Sequence, residues 1–527
     1  MASALPAEST LPAENRPAGD LPAKGPTTED PSAEGPSAGD LPAKGPSAEG
    51  LTAEGPTTSR PVGRDLTSEV LLHPRSIAFI GASTNPESLG GRPLGLLARY
   101  GFAGRVYPVN PTHTEIQGLP TYPSITDVPE AVDIAMVVVR ANLVPGVLRD
   151  CARAGVKVAM MVLSSGFGEG LGEGADLRAE IVELLGTTSM RVLGPNCEGL
   201  ASLPASAPLS FSPILDAAKS GAPLRRGGIS VVSQSGGLGF AVAQWGSQVG
   251  LGFNYVISTG NEIDVDALEV AALLVEDPDT EVVIAVVEGF QQPERFGPLS
   301  DRFTELGKRL VVAKMGRSVP GARGALAHTG HEVGRPGGYP ELFAAHGIMQ
   351  ANDEEELVDI VRAVAKCTPM RGSRIGVLTT SGGAGIWLAD ACADFGLDVP
   401  VLSEATQREL TGHMPGFGSP VNPVDLTAQF IAGGSFAPAV EVLLRSGEVD
   451  GVILATSLAL PGRLERDRDA LARLRRDYDL PIAVYTYTNP ARACVELLDE
   501  LQLPWYLSSR RAARGLAALV TAGRNAR

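Results

Sequence analysis

Three glycine-rich turns and one histidine carry most of the chemistry this sequence can do. A strand ending in a Gly/Ser-rich turn that enters a helix presents backbone N–H groups at the positive end of the helix dipole, which attracts anions. Such turns are predicted at Gly81–Gly91 (GASTNPESLGG), Ser233–Gly239 (SQSGGLG) and Ser381–Gly385 (SGGAG). Tight strand-to-helix turns also need glycine for backbone reasons, so each reads both as an anion cradle and as a plain turn. The chain has six histidines. His328 falls in GARGALAHTGHEVG, after the predicted strand Arg309–Met315, among Gly321, Gly324, Ala325, Ala327 and Gly330. So few anchoring side chains predict a mobile loop. A nucleophilic imidazole needs one ring nitrogen free and the other held by an acceptor. Glu288, at the end of the run VVIAVVEGF, is a strand-end carboxylate able to serve. A lone loop histidine is more commonly a surface residue, and His331 stands close behind His328 as a candidate.

The first turn does not fit a dinucleotide fingerprint. It lacks GxGxxG, and the second strand ends in Val109-Asn110-Pro111 with no acid for a ribose hydroxyl, which argues against NAD. Cys151, Cys197, Cys367, Cys392 and Cys494 are scattered without a CxxC pair, which reads as reduced, buried thiols in a cytoplasm rather than a metal or disulfide framework. No metal ligand set is expected. The net charge of −16 disfavours nucleic acid and anionic lipid as partners. The chain start lacks the basic and apolar blocks of a signal peptide. Its apolar runs are of strand length, well short of the roughly 20 residues a membrane helix needs.

The elements that must position these residues follow from periodicity. The 527 residues exceed one hydrophobic core. Residues 1 to about 60 repeat Pro, Ala, Glu, Gly, Ser and Thr, with GDLPAKGP occurring at Gly19–Pro26 and again at Gly39–Pro46. Such a segment cannot offset its conformational entropy by apolar burial and reads as a disordered tail. From Leu66 onward, apolar runs alternate with amphipathic helices, predicting βαβ units and parallel sheets. Predicted strands at Ser76–Ile80, Gly228–Val232 and Arg374–Thr379 each open a domain, and each runs into one of the glycine turns. The expected layout is a tail over 1–60 and α/β domains over 66–200, 224–350 and 370–527.

From Leu66 to the C-terminus the chain resembles the alpha part of NDP-forming acyl-CoA synthetases, relatives of succinyl-CoA synthetase. GASTNPESLGG followed by GFAGRVYPVNP resembles that family's CoA-binding Rossmann-like domain. GPNCEGL at Gly194–Leu200 resembles its domain junction, and SQSGGLG, STGNEIDVD and EDPDTEVVIAVVEGF resemble its second domain. ARGALAHTG is similar to the phosphohistidine loop, and TTSGGAG with SPVNPVDLT resembles the extra domain of the ADP-forming branch. The resemblance implies a Rossmann-like CoA-binding domain followed by two flavodoxin-like domains.

It also implies roles. His328 would carry a phosphoryl group, with Glu288 holding its second nitrogen. Ser233, Ser235, Gly236 and Gly237 would cradle the phosphoryl group at a helix N-terminus. Gly81, Ala82, Ser83, Thr84 and Asn85 would meet CoA, and Ser164, Ser165 and Gly166 fall at the family's second CoA-contacting loop. An acid and CoA would be joined, or an acyl-CoA split, with ATP/ADP and Mg2+ on a separate ATP-grasp beta subunit of a hetero-oligomer. Thr112 and His113 stand where the family places Lys after VNP, Ala327 replaces a common Ser, and His331 replaces a small residue. These departures keep open a second expectation, a non-catalytic protein of the same fold that binds CoA or acyl-CoA.

Overall fold

The computed structural model describes residues 66–162, 173–329 and 338–525, apart from the side chains of residues 173, 326–329, 338, 431, 432 and 525. The tail over 1–60 and the proposed CoA loop Ser164–Gly166 lie outside the described residues. The described residues form one compact unit.

Three mostly parallel sheets follow one another. The first contains β1 (Ser76–Ile80), β2 (Arg105–Val109), β5 (Ile134–Val137), β6 (Val158–Met161) and β7 (Arg191–Leu193) in the order β2-β1-β5-β6-β7; the short strands β3 (Glu115–Ile116) and β4 (Leu119–Pro120) pair with each other. The second is built from β8 (Gly199–Ser202), β9 (Ala207–Ser210), β10 (Arg226–Ser233), β11 (Phe253–Ser258), β12 (Val282–Val287), β13 (Arg309–Lys314) and β14 (Met349–Ala351), in the order β14-β13-β12-β10-β11-β8-β9. The third holds β15 (Ile375–Thr379), β16 (Val424–Asp425), β17 (Gly451–Thr456), β18 (Ile482–Thr486) and β19 (Trp505–Tyr506), ordered β16-β15-β17-β18-β19. Helices cover both faces of such sheets, which is why β1, β12 and β17 read as unbroken apolar runs and are buried along their length. The antiparallel pair β8 and β9, which periodicity did not single out, extends the second sheet beyond β11.

Polar contacts lock the sheets to one another. Arg191 on β7 makes paired hydrogen bonds to Asp264 and Glu269, reaching from the first sheet to the loop after β11 and the helix Ala267–Glu276. The helix Glu354–Lys366, capped by Asp353, packs against the C-terminal helix Ser509–Asn525. There Asp359 pairs with Arg511, and Arg362 lies over the rings of Trp505 and Tyr506. One apolar cluster runs from Val231 and Phe240 to Leu388 and Leu516, so the second and third sheets share a core.

Two expectations from the sequence are corrected. The segment read as a loop around His328 is helical from Val319 to Thr329. Ser318 accepts a hydrogen bond from the Gly321 N–H at 3.1 Å as an N-cap, Pro320 suits the first turn, and Ala322, Ala325 and Ala327 supply the strongest helix former. Small side chains alone do not make a segment mobile, because alanine lowers the cost of helix. The first glycine turn also differs from the other two. Its helix, Arg92–Tyr100, starts only after Gly91, so Gly81–Asn85 lie at a strand end rather than at a helix N-terminus.

Candidate active site

In open α/β sheets ligands bind beyond the C-terminal strand ends, where the strand order reverses. In the second sheet β10 is followed by β11 on one side and β12 on the other, so this point lies between β10 and β12. Ser233 pairs with Val286 across that gap. The helix Gly236–Gln248 starts immediately beyond Ser233, with Ser235 as N-cap and no side-chain capping bond. Gly236 and Gly237 are therefore its first residues, whose N–H groups have no partner one turn earlier. A Cβ on Gly236 would stand 3.2 Å from Cβ of Glu198, and one on Gly237 would stand 3.6 Å from the Glu198 carboxylate. Ser233, Ser235, Gly236 and Gly237 thus form a cradle flanked by a half-buried acid. Burial pushes the Glu198 carboxyl above its ordinary range, and this reduces its repulsion of an anion.

Gln234 joins the cradle to Glu288. Its Oε1 accepts the Glu288 N–H at 2.5 Å and the Gly289 N–H at 3.2 Å, while its Nε2 donates to the Gly289 carbonyl at 2.7 Å. That nitrogen also donates to Oε2 of Glu262 at 2.9 Å. Glu262 is 6% exposed, and its Oε1 accepts from Thr259 Oγ1 at 2.9 Å and from the Ala267 N–H at 2.8 Å. Burial, with a contribution from Asp266, pushes its carboxyl up to about 8 against these hydrogen bonds. On the other side of Glu288, Lys314 ends β13 and Tyr339 accepts the Phe290 N–H at 2.9 Å. None of Gln234, Glu262, Lys314, Tyr339 or Glu198 was singled out from the sequence. Each is a common residue type with no short motif of its own, although Gln234, Glu262 and Glu198 sit inside quoted stretches.

The structure therefore joins Ser233, Ser235, Gly236, Gly237 and Glu288 in one network. The backbone of His328 lies in the last turn of the helix Val319–Thr329, which starts just after β13, the strand beside β12. Its imidazole is among the side chains left undescribed, and His331 lies outside the described residues.

The first turn sits at the corresponding reversal of the first sheet, between β1 and β5. Gly81 has φ +87°, and a Cβ there would stand 2.1 Å from the Val138 carbonyl oxygen. The Gly81 and Ala82 N–H groups both go to the Val109 carbonyl, at 3.0 and 3.3 Å. Asn110 of the VNP segment donates to the Ala82 carbonyl at 2.9 Å, and Ser83 Oγ accepts the Asn85 N–H at 3.1 Å. Ala82 is buried, whereas Thr84 and Asn85 are exposed. Of the five residues Gly81–Asn85, Thr84 and Asn85 are the ones exposed to a ligand, with Gly81 and Ser83 partly so.

Among the described residues no group of His, Cys, Asp and Glu side chains could hold a metal ion, and no helix is long and apolar enough to cross a membrane. Cys151, Cys197, Cys392 and Cys494 are buried, with Cys367 partly so, and none is in a disulfide.

Three α/β sheets in series, the second with a glycine-started helix at its strand reversal, have the build of a CoA ligase of the succinyl-CoA ligase type, and the family matches agree. Residues 75–202 match the family described as a CoA binding domain, 226–364 the succinyl-CoA ligase like flavodoxin domain, and 375–460 the Ligase-CoA domain. The alpha subunit of acetate–CoA ligase [ADP-forming] I from Pyrococcus furiosus is 32% identical over 464 residues, covering 86% of this chain and 97% of that protein. Acetate–CoA ligase [ADP-forming] I from Archaeoglobus fulgidus is 34% identical over 73% of this chain, which spans only 54% of that longer relative. The apo structure of the dinucleotide-forming acetyl-coenzyme A synthetase 1 of Candidatus Korarchaeum cryptofilum superposes with TM-score 0.77 at 31% identity, covering 87% of this chain and 98% of that one. The chain belongs to the family of ADP-forming acid–CoA ligases, with the length and domain order of its alpha subunits.

Proposed function

We propose that this chain is the alpha subunit of an acid–CoA ligase that interconverts acyl-CoA, ADP and phosphate with carboxylic acid, CoA and ATP through a phosphohistidine at His328. The reading takes the three domains to run over about 66–200, 224–350 and 370–527. CoA would lie along Ser83–Asn85 and Ser164–Gly166. In the acyl-CoA direction a phosphate oxygen attacks the thioester carbon and CoA leaves as the thiol, forming an acyl phosphate. A neutral nitrogen of His328 then attacks phosphorus, and the carboxylate departs. Glu288 accepts the other ring N–H and stabilises the imidazolium character of the phosphohistidine. The N–H groups of Gly236 and Gly237, at the positive end of a 13-residue helix, lower the cost of the phosphoryl charge. The phosphoryl group passes to ADP on an ATP-grasp partner, which would also hold Mg2+, in a cytoplasmic hetero-oligomer. That the Pyrococcus furiosus relative is named as a subunit alpha supports such a partner.

The observation carrying this reading is the Gln234 amide, which binds the Glu288 turn to the strand that feeds the glycine cradle. The test is to incubate the full chain with labelled ATP, with and without candidate ATP-grasp chains. Acid-labile, base-stable label that disappears in His328→Ala supports the ligase. Glu288→Gln should reduce the label and leave CoA binding intact. No label under any condition, with CoA still bound, overturns the ligase in favour of a CoA-binding protein without chemistry.

A further inference from the structure

We propose that Lys314 is a positioning residue for phosphoryl transfer, holding the Glu288–Phe290 turn and supplying the positive charge against which Glu288 works. The proposal rests on the role given to Glu288 above and goes beyond it. Lys314 pairs with Val287 in the β12–β13 ladder, and the Met315 N–H donates to the Val287 carbonyl at 2.8 Å. Lys314 and Glu288 therefore flank the same strand end. The Lys314 ammonium lies 4.8 Å from the Tyr339 ring centroid, and the Tyr339 hydroxyl accepts the Phe290 N–H. Lysine, aromatic ring and backbone N–H thus form a strap around the turn that begins with Glu288.

A purely structural lysine does not account for this arrangement. Lys314 is 5% exposed, yet its three N–H donors have one hydrogen-bond acceptor among the described residues, the Met315 carbonyl at 2.5 Å. An unbranched apolar side chain such as Met would fill the slot over Tyr339 without desolvating a charge. The charged neighbours explain what the ammonium is for. Glu288 at the end of β12 favours the charged form, Arg317 beyond β13 opposes it, and burial, the largest influence, pushes Lys314 down to about 8. Glu262 reaches the same turn through Gln234. When a phosphoryl group approaches, it brings about two negative charges to a place that already holds a carboxylate. With Lys314 charged, its ammonium offsets part of the negative charge that Glu288 and the phosphoryl group bring together. With Lys314 neutral, that offset is lost and the carboxylate and the phosphoryl group repel more strongly.

The test labels the full-length chain from 32P-acetyl phosphate and follows the initial rate from pH 6 to 10, with melting temperature as the folding control. In the wild type the rate should fall as pH rises past about 8, the value at which the ammonium titrates. Lys314→Met should lower the rate at pH 7 by roughly 100-fold, the scale seen when one fixed charge-stabilising group is removed. Lys314→Arg should retain label at pH 7 and lose the alkaline fall, because a guanidinium does not titrate in this range. If Lys314→Met does not fold, the Lys314→Arg profile alone decides. An unchanged rate and profile in Lys314→Met overturns the proposal. So does an alkaline fall that survives Lys314→Arg and disappears in Glu262→Gln, which would assign the titration to Glu262. A wild type that takes no label from acetyl phosphate, from other acyl phosphates or from ATP sinks the phosphohistidine reading itself, and this proposal with it.

Discussion

Replacing Glu262 by Gln should change the pH dependence of stability more than stability itself. Its carboxyl is pushed up to about 8 in the folded chain, from an ordinary 4.5. Between those values the folded state holds a proton that the unfolded state releases, so stability falls as pH rises through the window and is flat outside it. The two values imply a loss on the order of 5 kcal/mol across the whole window, most of it between pH 5 and 8. The variant cannot titrate. It also turns an amide N–H2 toward the Gln234 Nε2, which already donates to Oε2 at this position, so two donors meet. That mismatch should make Glu262→Gln less stable at pH 5 by about 1–3 kcal/mol. Urea unfolding of both proteins at pH 5, 6, 7 and 8 separates the effects, because every other titrating group cancels in the difference. The wild-type advantage should shrink steadily and reverse before pH 8. A difference constant within about 1 kcal/mol over that range would refute the reasoning. The same change reaches the candidate site, since Gln234 loses an acceptor while still carrying the Glu288 turn.

Three further outcomes are expected. Arg191→Met leaves Asp264 and Glu269 without their buried guanidinium and should cost about 3–5 kcal/mol in urea unfolding. Gly81→Ala forces a Cβ to within 2.1 Å of the Val138 carbonyl at a left-handed φ, and should destabilise the chain by at least about 1 kcal/mol while weakening CoA binding in calorimetry. Ser235→Ala should lower phosphohistidine label by no more than about tenfold, because Ser235 makes no side-chain capping bond and the cradle is mainly backbone.

Much of the frame was legible in the chain. Val282–Glu288 and Ser76–Ile80 read as buried parallel strands because short apolar runs rich in β-branched residues have few other solutions, and both form with ends shifted by at most one residue. The glycine turns were found for the same local reason. Periodicity failed where two influences compete within a few residues. Around His328, glycine argued for a loop and alanine for a helix, and the Ser318 cap with the alanines prevailed. In the turn at Gly382–Gly385, four residues read as loop became the start of a helix.

The sequence by itself determined the alternation of strand, glycine turn and helix, and through its motifs the family, since both are written in residues close together along the chain. Only the tertiary structure decided which side chains surround Glu288. Gln234, Glu262, Lys314 and Tyr339 come from four separate elements, and their roles arise from burial and hydrogen-bond geometry once parallel strands bring those elements side by side. A carboxyl raised to about 8 and a lysine lowered to about 8 are products of desolvation, which no local stretch of residues encodes.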